Sequence, residues 1–525
     1  MGNEDDRSAN YPFWGASSRF RPFSAFFSPL KFLVWRAIPA RLDEAPAGIN
    51  PKRRLLTMST DSPELSPTMF KRRNFLKDSA LAAGFFGLGN YLRGKNAAYF
   101  SALGIEPYGP LFPDKDKILD LPAKFSYRVI SKKGALMNDG FKVPGKFDDM
   151  AAFEGEGGRV VLIRNHELAF DQVDLGPFPK DRYPDSLDRS LSHDPGGQRQ
   201  PPQIGGTTTL VYNPKTGKTE QEFLSLTGTD RNCSGGNMPW ASWITCEETD
   251  DMTSARGRLH GYCFEVRADP KLGLQKAVAL KALGRFRHEA VAFDPIDGSL
   301  YLTEDRPDGL LYRFLPDRKR DFRSGRLFAL AIVGHDSADL RNNDKKAKRL
   351  AEKAQPMAIR WIEMDNLESP DDDLRHRGFA KGAARFARAE GIYYSAGALY
   401  LCCTDGGPRK QGQIFHIHPR HFGNAPPTVE LFLEPEERDL LTNGDNLCAA
   451  PNGDLIICED LITEHKMKTP HLRGVTPEGK IFTLARNAKN KDEFCGSCFS
   501  PDGRTLFVNL QGMSFTFAIT GPWRK

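Results

Sequence analysis

The chain has 525 residues, 39% of them hydrophobic, which is enough to bury a large core. A formal charge of +6 is small for that length, and no basic stripe interleaved with aromatics argues for a nucleic-acid partner. Nine irregularly spaced cysteines do not make a disulfide scaffold, and the CxxC of Cys495 and Cys498 lacks a second pair to complete a zinc site.

Residues 1–68 are rich in Arg, Pro and Ser, with scattered aromatics such as Phe26, Phe27 and Trp35. They read as a disordered extension, with Met58 and Met69 as alternative starts. Residues 69–98 differ. Arg72-Arg73 precede Phe75, Leu76 and Lys77, and a modest apolar run follows from Ser79 to Leu88. This is the twin-arginine export pattern, with an apolar run too short to span a bilayer stably. It predicts recognition by the twin-arginine export machinery and a periplasmic or secreted bacterial protein, membrane-associated if the segment is not cleaved near Ala97-Ala98.

Residues 99–525 read as one β domain. FSYRVISKKG supplies a first strand, the polar, Pro-rich stretch from Phe170 to Gln203 an inserted loop, and Gly205 to Thr229 two strands around an NPKTG turn. Then a phrase begins to repeat. HEAVAFDPIDGSLYLTED, from His288 to Asp305, has period-two apolar strands about a turn carrying Pro295, Asp297 and Gly298. Related hairpins run from Asp149 to Glu167, Cys233 to Glu248, Glu390 to Asp405, Asp445 to Asp460 and Cys495 to Leu510. GYCFEVRADP and GLLYRFLPD follow their hairpins as third strands. Between Asp336 and Arg377 the pattern turns charged, which predicts a helical insertion over about 336–377. Six hairpins predict an all-β fold, a six-bladed β-propeller.

Aligning the hairpins places Asp149, Cys233, Glu289, Glu390, Asp445 and Cys495 at one position, at the start of each blade's first strand. Such strands line the channel, so these groups converge on the axis. Four carboxylates and two thiols meeting there call for cations. A thiolate among carboxylates suits iron beside a harder ion such as calcium. Asp445-Asn446 is a usual calcium pair, and Gly235-Gly236 after Cys233 let a cofactor approach the backbone. His166-Glu167 and His288-Glu289 form two HE pairs on equivalent-looking turns. Glu247-Glu248, Glu304-Asp305 and Glu459-Asp460 close the second strands, where paired acids are expected to be solvated or to cap turns. Arg388, two residues before Glu390, could clamp an anion. GxSxG, Walker and HExxH motifs are absent.

With RNCSGGNMPWASWITCEE, GRFRHEAVAFDPIDGSLYLTEDRPDGLLYRFLP, RFARAEG, the DNL turn and FSPDGRTLFVNLQG in view, the chain resembles the PhoX-type alkaline phosphatases of bacteria over roughly residues 70–520. The resemblance implies a six-bladed propeller with a mixed iron–calcium cluster in its channel. It implies metal-assisted hydrolysis of small phosphate esters, and a monomer is expected. Cys233 then looks like the iron ligand, Glu289, Glu390 and Asp445 like carboxylate ligands, and Arg388 like the phosphate-binding arginine; Glu167 and Asn446 are further candidate ligands. Cys495 matches no family ligand. A single-calcium propeller hydrolase of lactonase or phosphotriesterase type would not need Cys233, and a binding propeller would turn over no phosphoester.

Overall fold

The computed structural model describes residues 107–524, apart from 179–182, 198–200, 250–257, 347, 421–424, 436–439 and 461–468. The extension expected over 1–68 and the export segment of 69–98 lie outside these residues. Each repeated phrase forms an antiparallel hairpin, as alternating apolar residues about Gly- and Asp-bearing turns dictate. The first strands of the hairpins are Phe147–Glu154, Asn232–Met238, His288–Phe293, Ala389–Ser395, Gly444–Ala449 and Phe494–Phe499. Each touches the next, and the last touches the first, so they form a closed cycle of six at the axis. We number the blades 1 to 6 in that order.

The hydrophobic cores lie between neighbouring blades. Met150 and Leu210 of blade 1 pack with Phe507 and Ala518 of blade 6, and Ala292 and Tyr301 of blade 3 with Leu401 and Phe415 of blade 4. Each blade therefore buries one face on each neighbour, which holds the ring shut by apolar burial. The strand Ser126–Lys132, expected to come first in the domain, pairs with Phe515–Thr520 as the outermost strand of blade 6. Joining the two ends of the domain in one sheet leaves no open end to the ring. Among the described residues, blade 2 has three strands where the others have at least four.

The insertion over 336–377 is not the helical one expected. Its core is a strand, Met357–Glu363, which pairs with the outer strands Asp321–Ile332 of blade 3 and Thr428–Leu433 of blade 4. A helix begins only at Leu374 and runs to Ala380. The run DKKAKRLAEKAQ sets only Ala347, Leu350, Ala351 and Ala354 at helical spacing and ends at Pro356, so a helix here would have little apolar surface to bury. Among the described residues, no helix is long and apolar enough to cross a membrane.

Candidate metal centre

In every blade the first strand bulges at the same place. His288 pairs with Glu304 but Val291 pairs with Leu302, so three steps on one strand meet two on the other. The same shift follows Phe147, Asn232, Ala389, Gly444 and Cys495. A bulge re-aims the side chain it carries and recurs next to active sites. Here the residue after each anchor is Asp148, Cys233, Glu289, Glu390, Asp445 and Gly496. The alignment from sequence was thus one residue off at both ends of the ring. Asp148 takes the place expected for Asp149, and Gly496 the place expected for Cys495. Cys495 instead donates its thiol to the Phe147 carbonyl at 3.0 Å.

Cys233 Sγ donates to Glu289 Oε2 at 3.0 Å. Cys233, Glu248 and Glu289 each bring a ligand-type atom within 4.8 Å of the other two. Burial, then like charge, pushes Glu289 well above the usual carboxylate range, and the neighbours responsible include Glu248 and Glu390. Asp445 and Asp148 are raised in the same way, with Glu289 and Glu167 respectively as their leading charged neighbours. Burial and the Glu289 charge push the Cys233 thiol up as well.

A second tier comes from the ends of the second strands. Glu248, Asp305 and Asp460 are the later members of the acid pairs, and Glu167 occupies the same place in blade 1. Their backbone N–H groups bond the carbonyls of Arg231, Arg287, Asn443 and Lys146 respectively, each just ahead of a bulge anchor. The two HE pairs are therefore not equivalent: Glu167 follows a second strand, whereas Glu289 sits on a first strand. The earlier members of the pairs turn away from the axis. Glu459 accepts from the backbone of Thr442 and His471 and from Arg473, and Glu304 from Leu310 N and the Tyr312 hydroxyl. Neither the solvated nor the capping role expected of these pairs describes both members.

Arg388 stands in this acidic ring with a left-handed backbone, φ 49°. Its guanidinium grips both oxygens of Asp305 at 2.9 and 3.2 Å, and lies 2.5 Å from Glu390 and 3.4 Å from Asp460. Arg287 pairs with Glu248 at 2.8 Å and Arg231 with Glu167 at 2.9 Å. Asn446 points elsewhere: its Oδ1 accepts from Gly496 N and its Nδ2 donates to Asp445. It braces Asp445 across the blade 5–6 seam. Gly236, expected to admit a cofactor, admits the next blade instead, since a Cβ there would lie 2.0 Å from the Val291 carbonyl oxygen.

The acids of both tiers outnumber the three arginines beside them. Buried carboxylates without enough counter-charge must hold protons or bind cations. The donor set fits cations: oxygens for a hard ion, and Cys233 among carboxylates for a transition metal.

The fold and this ring of donors define a β-propeller with a cation-type donor set at its axis. The profile of the alkaline phosphatase PhoX family matches residues 106–513. The chain belongs to that family and is a phosphatase of its class. Among solved structures it is similar to Pseudomonas fluorescens PhoX in complex with vanadate, a transition-state analogue, at 18% identity, TM-score 0.57, covering 79% of this chain and 98% of that one. A putative gluconolactonase (12%, TM-score 0.36, 78% and 97% covered) and a gluconolactonase from Xanthomonas campestris (10%, 0.37, 80% and 99%) are more distant. No curated protein matches the sequence.

Proposed function

We propose that this phosphatase hydrolyses small phosphate monoesters at a calcium–iron centre on the propeller axis, acting as a monomer after twin-arginine export to the periplasm or beyond. One observation carries the reading: five of the six bulges aim Asp148, Cys233, Glu289, Glu390 and Asp445 at one mouth, in excess of the cations present. Cys233, Glu248 and Glu289 would hold the iron, and Glu390, Asp445 and the outer acids, Glu167 among them, the calcium. Once bound, these ions would supply positive charge against the phosphoryl oxygens. Asn446 we assign to bracing Asp445.

The chain's own groups have definable tasks. Arg388 is a quarter exposed at the mouth, and its planar fork suits two phosphoryl oxygens that carry growing charge. Asp305 fixes the plane of that fork from behind. Cys233 keeps its proton against Glu289 here, and must release it to become a thiolate ligand, so loading should release protons.

The test is metal analysis and p-nitrophenyl phosphate turnover on protein exported through its own leader. Iron with calcium, and calcium-dependent turnover lost in Cys233→Ala, supports the reading. Calcium without iron, together with full turnover in Cys233→Ser, would overturn it in favour of a single-calcium hydrolase.

A further inference from the structure

A second group of ligand-type side chains lies off the axis, at the outer side of blades 1 and 2. His193, Glu247 and His260 are buried, and each offers a ligand atom within 4.8 Å of the others. Three separate stretches bring them together. His193 belongs to a segment pinned along blade 1 by His193 N to Thr227 O at 3.2 Å and Asp194 N to Gly228 O at 2.8 Å. Glu247 ends the second strand of blade 2, and His260 precedes its third strand.

Each imidazole has one nitrogen turned outward to an anchoring group. His193 Nε2 bonds the Leu259 carbonyl at 3.0 Å, and His260 Nε2 faces Asp194 Oδ2 at 3.6 Å. The other nitrogen of His260, Nδ1, lies 2.7 Å from Glu247 Oε1, and the Glu247 carboxylate also accepts from the backbone N–H groups of Asp230, Gly261 and Tyr262. Metal-bound histidines are held in this way, one nitrogen on the ion and the other on a carbonyl or carboxylate. The charge balance points the same way. Asp194, Asp230 and Glu247 are all buried, and Asp230 Oδ1 has no hydrogen-bond partner although the residue is only 3% exposed. A buried carboxylate oxygen without a donor calls for a nearby cation.

We propose that His193, Glu247 and His260 bind one divalent first-row ion of zinc type, with Asp194 orienting His260 and Asp230 balancing charge. The site is a staple. Among the described residues blade 2 has three strands, with a single bridge from Phe264 to Ala279 outside them, and the ion would tie the segment around His193 and the loop carrying His260 to that short blade. It is independent of the axial centre and of the reaction proposed there.

The experiment uses the purified full-length protein, stripped by chelation and dialysed against zinc or cobalt(II), beside His193→Gln, His260→Gln and Asp230→Asn. One more zinc per wild-type chain than in either histidine variant is expected, with a cobalt d–d band that His193→Gln loses. A zinc-dependent rise in Tm should vanish in the same variants, while iron, calcium and phosphatase kcat/KM stay within about twofold. Equal zinc in wild type and His193→Gln would overturn the proposal and leave His260 as a protonated partner of Glu247. If His260→Gln does not fold, His193→Gln and Asp230→Asn decide alone. Without an ion, Asp230→Asn should raise Tm by removing a buried carboxylate oxygen that has no donor; with one, it should weaken zinc binding.

Discussion

Glu459 and Asp460 are neighbours in sequence, and so are Glu304 and Asp305, yet the members of each pair live in different chemistry. Glu459 and Glu304 face the blade interior, where backbone N–H groups, Arg473 or Tyr312 meet their oxygens. Asp460 and Asp305 face the axis, where Arg388 serves both along with Glu390. Glu459 has donors on both oxygens and so is structural, whereas Glu304 is met on Oε2 alone, with Arg375 3.7 Å from Oε1. The axial acids crowd one another, and burial first, then the charge of neighbouring carboxylates, raises the proton affinities of Glu289, Glu390 and Asp445. Burial alone does not mark a functional acid; burial among several other carboxylates does.

The comparison breaks if substitution on the two sides has the same effect. The largest effect is expected for Glu390→Ala and Cys233→Ala, whose kcat/KM should fall by more than the ~10–100-fold usual for outer partners of a metal. Their folded fraction should change little. Arg388→Lys comes next: it keeps the charge but loses the fork, and kcat should drop about 100-fold with metal content unchanged. Glu459→Ala should act in the opposite way. It strands Arg473 and two backbone donors, so unfolding free energy should fall by about 3–5 kcal/mol while turnover per folded molecule persists. Denaturant melts paired with active-site titration separate these outcomes.

Much of this was legible in the sequence, because repetition is legible. The alternation in HEAVAFDPIDGSLYLTED fixes strands and turn together, and its recurrence implies the ring. Cys233, Glu289, Glu390 and Asp445 each sit where the repeat placed them. The failures are equally physical. A bulge inserts one residue without altering composition, so Asp148 could not be told from Asp149, nor Gly496 from Cys495. Acid pairs carry no mark of which member meets the axis, since that depends on strand pairing. Charged residues near Lys345 look helical by propensity, but two neighbouring blade edges recruited the following segment as a strand. Arg231 and Arg287 went unnoticed because a lone arginine before an anchor is ordinary until the anchors are seen to form a ring.

Asp148 and Asp149 allow the sharpest form of the comparison, with two adjacent aspartates on opposite sides of one bulge. Asp149 points away from the acid ring into a cavity of about 100 Å³ lined also by Gly235, Cys448, Ser497 and Cys498. It accepts only from Ser234 Oγ and its neighbour's backbone N–H, and burial pushes it up to about 7 against those bonds. A carboxyl whose folded pKa lies above its unfolded value near 4 keeps a proton that the unfolded chain has lost. Stability from this group is therefore present below about pH 4 and lost as pH rises to about 7. Asp149→Asn should match wild type in acid and exceed it above pH 7, by on the order of 2–4 kcal/mol if no cation reaches the cavity. Denaturant melts of the metal-loaded protein across that range measure the gap. A constant gap would mean that Asp149 is already charge-balanced, and that the cation-holding region extends through the bulge to the far side of the ring.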